Sequence, residues 1–288
     1  VVVFSRTKYM TDLKYFLITQ QNAQQQKKFI EVNLEFTNQI RAFLPSEISR
    51  RLVEYIQGKR MSVIQSIDEV LRPRNVSVAC LFSDIRGFTK GSNDLEGFVS
   101  KAMLPNVKES TLAIEKYRGI PRKIGDLIFA YFDLADPDQS VEMAMRSALE
   151  IAKLNSEMNE LHPDALQIKR FILLSFGEAI VGNLSGYDSA IEITAIGAPV
   201  NYLSRIDELT KNVQIKSLLR SGDIIISEKM VLQIKARFPN LHFIPIDLRE
   251  MNLQVRDFED TEKIFVFRLN DMLKQNNIHN EISERRAV

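Results

Sequence analysis

The stretch 76-VSVACLFSDIRGFTK-90 passes from an apolar run to an aspartate, an arginine and a glycine within a few residues. Val76 to Phe82, rich in β-branched and small apolar side chains, reads as a buried strand over 76–84. Asp84 closes that strand, and Gly87 opens a turn toward a following helix. A carboxylate at a strand end is ordinarily a solvated turn former. It takes on another meaning if a second carboxylate reaches the same sheet edge, because two such groups bind a divalent cation through oxygen.

A second carboxylate of this kind stands in 123-KIGDLIFAYF-132, where Gly125 supplies a tight turn between two apolar runs and Asp126 follows it. The backbone of 85-IRGFT-89, at a strand-to-helix turn, offers amides that can cradle phosphate oxygens. A third segment, 191-IEITAIGAPVNYLSRIDELTK-211, ends a strand at Gly197 and starts a helix. On that helix Asn201 and Arg205 are four apart and share a face. An amide and a guanidinium so aligned suit a ribose or phosphate oxygen that gains charge during reaction. The plain reading of Arg205 is an ion pair with a neighbour such as Asp207 or Glu208.

Around these segments the composition is that of a globular protein. Of 288 residues, 45% are hydrophobic and 26% charged. The 38 basic and 37 acidic residues leave a net charge of +1, so bulk charge does not point to nucleic acid. Cys80 is the single cysteine, which rules out an internal disulfide and is expected to be buried, and three scattered histidines make a His/Cys zinc site a poor expectation. The chain opens with 1-VVVFSRTK-8, a basic-flanked apolar end of the kind found on the cytoplasmic side of a membrane span.

Residues 7–43 lack Gly and Pro and are expected to form a long helix, in which Phe29, Phe36 and Phe43, with Asn33 and Ile40 between them, mark a short coiled-coil seam. Pro45 turns the chain into a helix starting at Ser46, with Arg50 and Arg51 on its polar face, and a basic linker ends at 72-RPRN-75. Beyond it, strands near 76–84, 123–133, 167–176, 178–184, 190–196, 222–227, 242–247 and 263–269 are interspersed with helices near 94–118, 137–160, 198–210 and 227–237. That alternation predicts an α/β or α+β domain with one mixed sheet. The expected divisions are a juxtamembrane or coiled-coil helix (1–45), a transducing helix and linker (46–75), a catalytic domain (76–270) and a polar tail (271–288).

The segments 82-FSDIRGFT-89, KIGDLIFAYF and 177-GEAIVGNLSG-186, followed by ITAIGAPVNYLSRID, resemble the catalytic domain of class III nucleotidyl (adenylate/guanylate) cyclases and occur in that family's order. The preceding 44-LPSEISRRL-52 resembles the helix ahead of this domain in membrane-anchored and sensor-linked members. The resemblance implies an α+β fold with a ferredoxin-like mixed sheet, and a homodimer with head-to-tail composite sites. Asp84 and Asp126, with Ile85, would hold two Mg²⁺ or Mn²⁺ ions per site. Gly87, Phe88 and Thr89 would receive the β- and γ-phosphates. Asn201 and Arg205 would act on the ribose and the α-phosphate from the other chain, and Arg256 would bind the polyphosphate. ATP is the implied substrate, converted to 3′,5′-cyclic AMP and pyrophosphate by the output domain of a membrane or sensor protein at the cytoplasmic face.

The sequence departs from the family in three places. Four residues before Asp126 the family's adenylate cyclases carry Lys; here Arg122 stands there with Lys123 beside it, and Thr194 matches one bacterial-type adenine pattern. Either Arg122 or Lys123 serves the base, and GTP, CTP or UTP stay open as substrates. Ala198 replaces a usual aspartate at the helix start, and 253-LQVRDFEDTEKIFVF-267 lacks the family's glycine. A catalytically poor cyclase-fold module that works by binding and dimerising is the alternative of another class.

Overall fold

The computed structural model describes residues 8–11, 13–28, 44–86, 95–162, 167–185, 191–239 and 241–269. The chain divides into two compact units, Val1–Ser49 and Arg50–Val288. Residues 8–11 and 13–28 are helical, as expected, with Tyr9, Phe16 and Leu17 exposed. The Phe29/Phe36/Phe43 seam and the polar tail lie outside the described residues. No helix among the described residues is long and apolar enough to cross a membrane.

Helix α1 (Ser46–Val53) runs into a π-helical turn, Glu54–Gly58. The expected basic linker contains a further helix, α2 (Val63–Leu71), because Ser62 and Gln65 form a reciprocal capping box. Strand β1 (Arg74–Arg86) then begins the larger domain and reaches two residues beyond the expected end at Asp84. The helix expected over 94–118 is interrupted. It comprises α3 (Leu95–Phe98), a π-turn (Val99–Met103) and α4 (Leu104–Lys116). Pro105 explains the interruption: it has no N–H to give Lys101, and the Leu104 N–H bonds instead to the Val99 carbonyl.

Strands β2 (Ile120–Ile124) and β3 (Leu127–Phe132) form a hairpin, followed by α5 (Pro137–Leu161) and β4 (Lys169–Asn183). The two strands expected at 167–176 and 178–184 are one, running unbroken through Gly177, whose φ is not left-handed. Then come β5 (Ile193–Gly197), α6 (Ala198–Leu209), α7 (Val213–Leu218), β6 (Ile224–Ser227), α8 (Glu228–Arg237), β7 (Ile244–Asp247) and β8 (Lys263–Phe267). Helix α7, which the sequence reading passed over, is capped by the Asn212 side chain on the Gln214 N–H at 2.9 Å.

Among the described residues the sheet has eight strands in the order β2-β3-β1-β4-β6-β8-β7, with β5 paired to β4. The first four strands with α4 and α5 make a βαββαβ unit of order 2-3-1-4, the ferredoxin-like arrangement. All pairings are antiparallel except β4 with β6, so the sheet is mixed. Side chains alternate across a strand. Ala79, Leu81 and Ile85 of β1 join Ile114 of α4 and Ala144, Met145 and Ala148 of α5 in the core on one face. Cys80, Phe82 and Asp84 therefore look to the opposite face, on which α6 packs against β4 and β1. Cys80 is fully buried, and burial pushes its thiol well above the usual range, which keeps it protonated.

Candidate active site

The ladder brings the first two carboxylates to one end of the sheet. Ser83 of β1 stands opposite Ile128 of β3, and Asp126 lies just beyond that register, in the turn before Leu127. Gly125 has φ 65 at the first central position of this two-residue turn, a left-handed backbone that glycine adopts without strain. A Cβ added at Gly125 would meet nothing within 4 Å, so conformation and not space selects glycine there.

Asp84 is partly buried, its side chain 16% exposed. Burial pushes its carboxyl up to about 6; Arg86 opposes the shift, and the charges of Asp207 and Asp126 add to it. The Arg86 guanidinium lies 3.2 Å from Asp84, donates to Asp207 of α6 and to the Thr210 hydroxyl (2.7 Å), and sits 5.2 Å from the centre of the Phe171 ring. Lys211 reaches the same Asp207 at 3.0 Å. This edge thus holds three carboxylates that feel one another. Asp84 and Asp126 form an oxygen donor set, which fits a hard divalent cation of the Mg²⁺ or Mn²⁺ kind that keeps one or two carboxylates and takes its remaining ligands from phosphate and water. Ile85 is 3% exposed between them and the α4/α5 core. Gly87, Phe88 and Thr89 lie outside the described residues.

Helix α6 is fixed from its first residues. A Cβ at Gly197 would lie 2.9 Å from both the Ala179 Cα and the Glu178 carbonyl oxygen, so only glycine lets the helix start this close to β4. Pro199 occupies the first turn, where its missing N–H costs nothing, and its carbonyl accepts the buried Ser175 hydroxyl at 2.8 Å. The Ala198–Pro199 departure is thereby absorbed in the helix start. Leu203, Ile206 and Asp207 face the sheet, and Asn201 is exposed.

Arg205 stands two residues before Asp207, about 200° round the helix, and so faces away from the Arg86–Asp84 pair. Its Nε and Nη2 both donate to Asp257 Oδ2, at 2.9 and 2.7 Å. The neighbour expected from the sequence, Glu208, is a distant 3.9 Å from Nη1, while Asp207 is engaged by Arg86 and Lys211. Arg256 comes to the same cluster, 3.4 Å from Glu208 and 3.9 Å from Asp257. The structure therefore brings Arg205 and Arg256 together, and Asp84 and Asp126 together, as two separate groups in one chain.

The base-reading candidates form a third group. Arg122 of β2 pairs with Glu192, two residues before the buried Thr194 of β5, and Lys123 is exposed beside it. Sequence reading missed Glu192, Asp257 and Arg86. The first two are partners from distant segments, and the pairing of Arg86 with Asp207, 121 residues away, leaves no local signal. A polar cavity of about 340 Å³, lined by Asn155, Asn159, Arg220, Asp223 and Arg268 among others, includes none of the candidate residues.

No family profile matches the chain. An adenylate cyclase of Anabaena cylindrica is 32% identical over 165 residues, covering 54% of this chain and 33% of that protein. The chain thus spans about a third of that relative's length. Among solved structures, a bacterial light-regulated adenylyl cyclase matches with a TM-score of 0.60 at 19% identity, over 85% of this chain and 64% of that one. The guanylyl cyclase Cya2 matches with a TM-score of 0.53 at 22% identity, over 67% of this chain and 92% of that one. Proteins named for either purine share the fold, so the fold does not choose the base.

Proposed function

We propose that this chain, which carries the catalytic-domain fold of the class III nucleotidyl cyclases, converts ATP to 3′,5′-cyclic AMP and pyrophosphate at two composite sites of a head-to-tail homodimer. The observation that carries the reading is the division of labour around α6. Asp84 and Asp126 meet at one sheet edge and Arg205 and Arg256 in one cluster, yet Arg205 faces away from Asp84 in its own chain, which supports roles split between two chains. A second copy, related by a twofold axis, supplies each group with its counterpart.

In such a site Asp84 and Asp126, with Ile85 beside them, hold the divalent cations. When bound, these ions lower the pKa of the ribose 3′-hydroxyl and neutralise the polyphosphate. Asn201 orients the ribose so that its 3′-oxygen lies in line with the α-phosphorus. Arg205 donates to the α-phosphate oxygens as charge grows on them, a role that preorganisation makes effective. Arg256 and the 87–89 backbone hold the terminal phosphates. The new bond joins the 3′-oxygen to the α-phosphorus, the bond from that phosphorus to the bridging oxygen breaks, and the hydroxyl proton leaves to solvent.

A specific observation supports GTP as a second reading. Glu192, held by Arg122, is the carboxylate acceptor that guanine's N1–H and 2-amino group seek, while the same pair serves adenine through its 6-amino group and N1. The test is incubation of the full chain with ATP, GTP, CTP and UTP in turn with Mn²⁺, reading products by mass spectrometry. Cyclic AMP is the expected main product. Cyclic GMP as the main product would transfer the assignment to the guanylate reading, and no cyclic product from any of the four would remove the enzyme reading.

A further inference from the structure

We infer that Asp257 is a positioning residue for Arg205, holding its guanidinium in the orientation needed at the α-phosphate of the neighbouring chain's nucleotide; this rests on the cyclase reading above. Two donors of Arg205, Nε and Nη2, converge on the single oxygen Oδ2 of Asp257. A side-on pair of this kind fixes the plane of the guanidinium and restrains the rotation of a long side chain. It also leaves Nη1, whose nearest carboxylate is Glu208 at 3.9 Å, as the edge available to a phosphate oxygen.

The segment bearing Asp257 is itself anchored to the helix that bears Arg205. Val255 is 1% exposed, and Phe258 packs edge-on against Tyr202 with ring centres 5.3 Å apart. Tyr202 lies one turn before Arg205 on α6, and its hydroxyl interacts with Thr261. Asp257 thus lies between a buried residue, Val255, and one packed on α6, Phe258. It also adopts φ 66, a left-handed conformation that aspartate tolerates better than most residues but that still costs free energy. Backbone held in such a region marks places where the surroundings over-determine a side chain's position. Here the position is the one that sets the carboxylate against the catalytic guanidinium. Arg256, the residue before it, is carried to the same cluster.

The role differs from that of a simple surface ion pair, which would affect stability by little and catalysis not at all. It differs too from an inhibitory contact, whose removal would free Arg205 and raise activity. In the full chain with Mn²⁺ and its preferred nucleotide, Asp257→Ala is expected to lower kcat about tenfold with KM within about twofold, because binding is kept and transition-state alignment is lost. Asp257→Asn, which keeps one acceptor and the size, is expected to fall between Asp257→Ala and wild type, and covers the case in which the alanine variant does not fold.

A double-mutant cycle supplies the readout that a structural role would not move. In an Arg205→Ala background, Asp257→Ala is expected to cause no further loss, because the two residues act as one unit. Unchanged or raised kcat in both Asp257 variants of an active wild-type enzyme overturns the positioning role alone, as does an equal additional loss in the Arg205→Ala background. A wild-type chain that makes no cyclic nucleotide overturns the cyclase reading and the positioning role together.

Discussion

Asp84 illustrates the tension between a site and the stability of the protein that holds it. Its carboxyl is pushed up to about 6 from its usual 3.8, so the folded state binds the proton more tightly than the unfolded chain does. The cost of that buried charge is fully present above about pH 6 and disappears below about pH 4. Asp84→Asn removes the charge while keeping the shape. Without added metal, the variant is expected to be more stable than wild type by about 1–2 kcal/mol at pH 8, with the difference gone by pH 4. Thermal melts in a chelating buffer across this range are the measurement, and a variant less stable than wild type at pH 8 would contradict the account. Added Mg²⁺ or Mn²⁺ is expected to raise the melting temperature of wild type and not of Asp84→Asn.

Elements were legible in the sequence to the degree that local chemistry decides them. The apolar run into Asp84, the Gly125 hairpin and the Gly197–Pro199 helix start were readable because alternation, a left-handed turn and a proline-compatible first turn are local properties. The π-turn before α4 was not read, although its cause, Pro105, is visible in the sequence. The split expected at Gly177 failed because a glycine inside a strand need not break it. Least legible were ion pairs between distant segments. Arg51, expected on a polar face, forms a bidentate pair with Asp133, 82 residues away, at 2.8 and 2.5 Å. Arg74 at the start of β1 engages the same carboxylate, whose side chain is 1% exposed. This triad ties the stretch from α1 to the ends of β1 and β3 remote from Asp84 and Asp126. Removing the carboxylate takes away the buried acceptor that two guanidiniums share, so Asp133→Ala is expected to cost about 3 kcal/mol or more, and Arg51→Ala less, because Arg74 still pairs the carboxylate. Urea unfolding of both variants checks the order; Arg51→Ala as costly as Asp133→Ala would contradict it.

At the scale of the whole molecule, the composite-site proposal makes a demand that one chain alone cannot meet. Asp84→Ala and Arg205→Ala chains are each expected to keep only a small, measurable residual activity as homodimers. Mixed and allowed to exchange, they are expected to regain about a quarter of wild-type activity, since half of the dimers would then carry one intact site of two. Assay of the mixture against each variant alone is the measurement, and no recovery after verified exchange would count against sites shared between chains.

Helix α6 adds something to such a dimer beyond holding two groups. Its inner face is bound through Asp207 to Arg86, which is bound to Asp84, while its outer face carries Arg205, which the proposed dimer would turn toward the other chain's nucleotide. Loading a cation on Asp84 changes the charge that Arg86 faces and with it the pull on α6. The arginine serving the second nucleotide rides on that same helix. Two sites joined through one rigid element would not fill independently, so the proposed homodimer would have a physical basis for cooperativity between its halves.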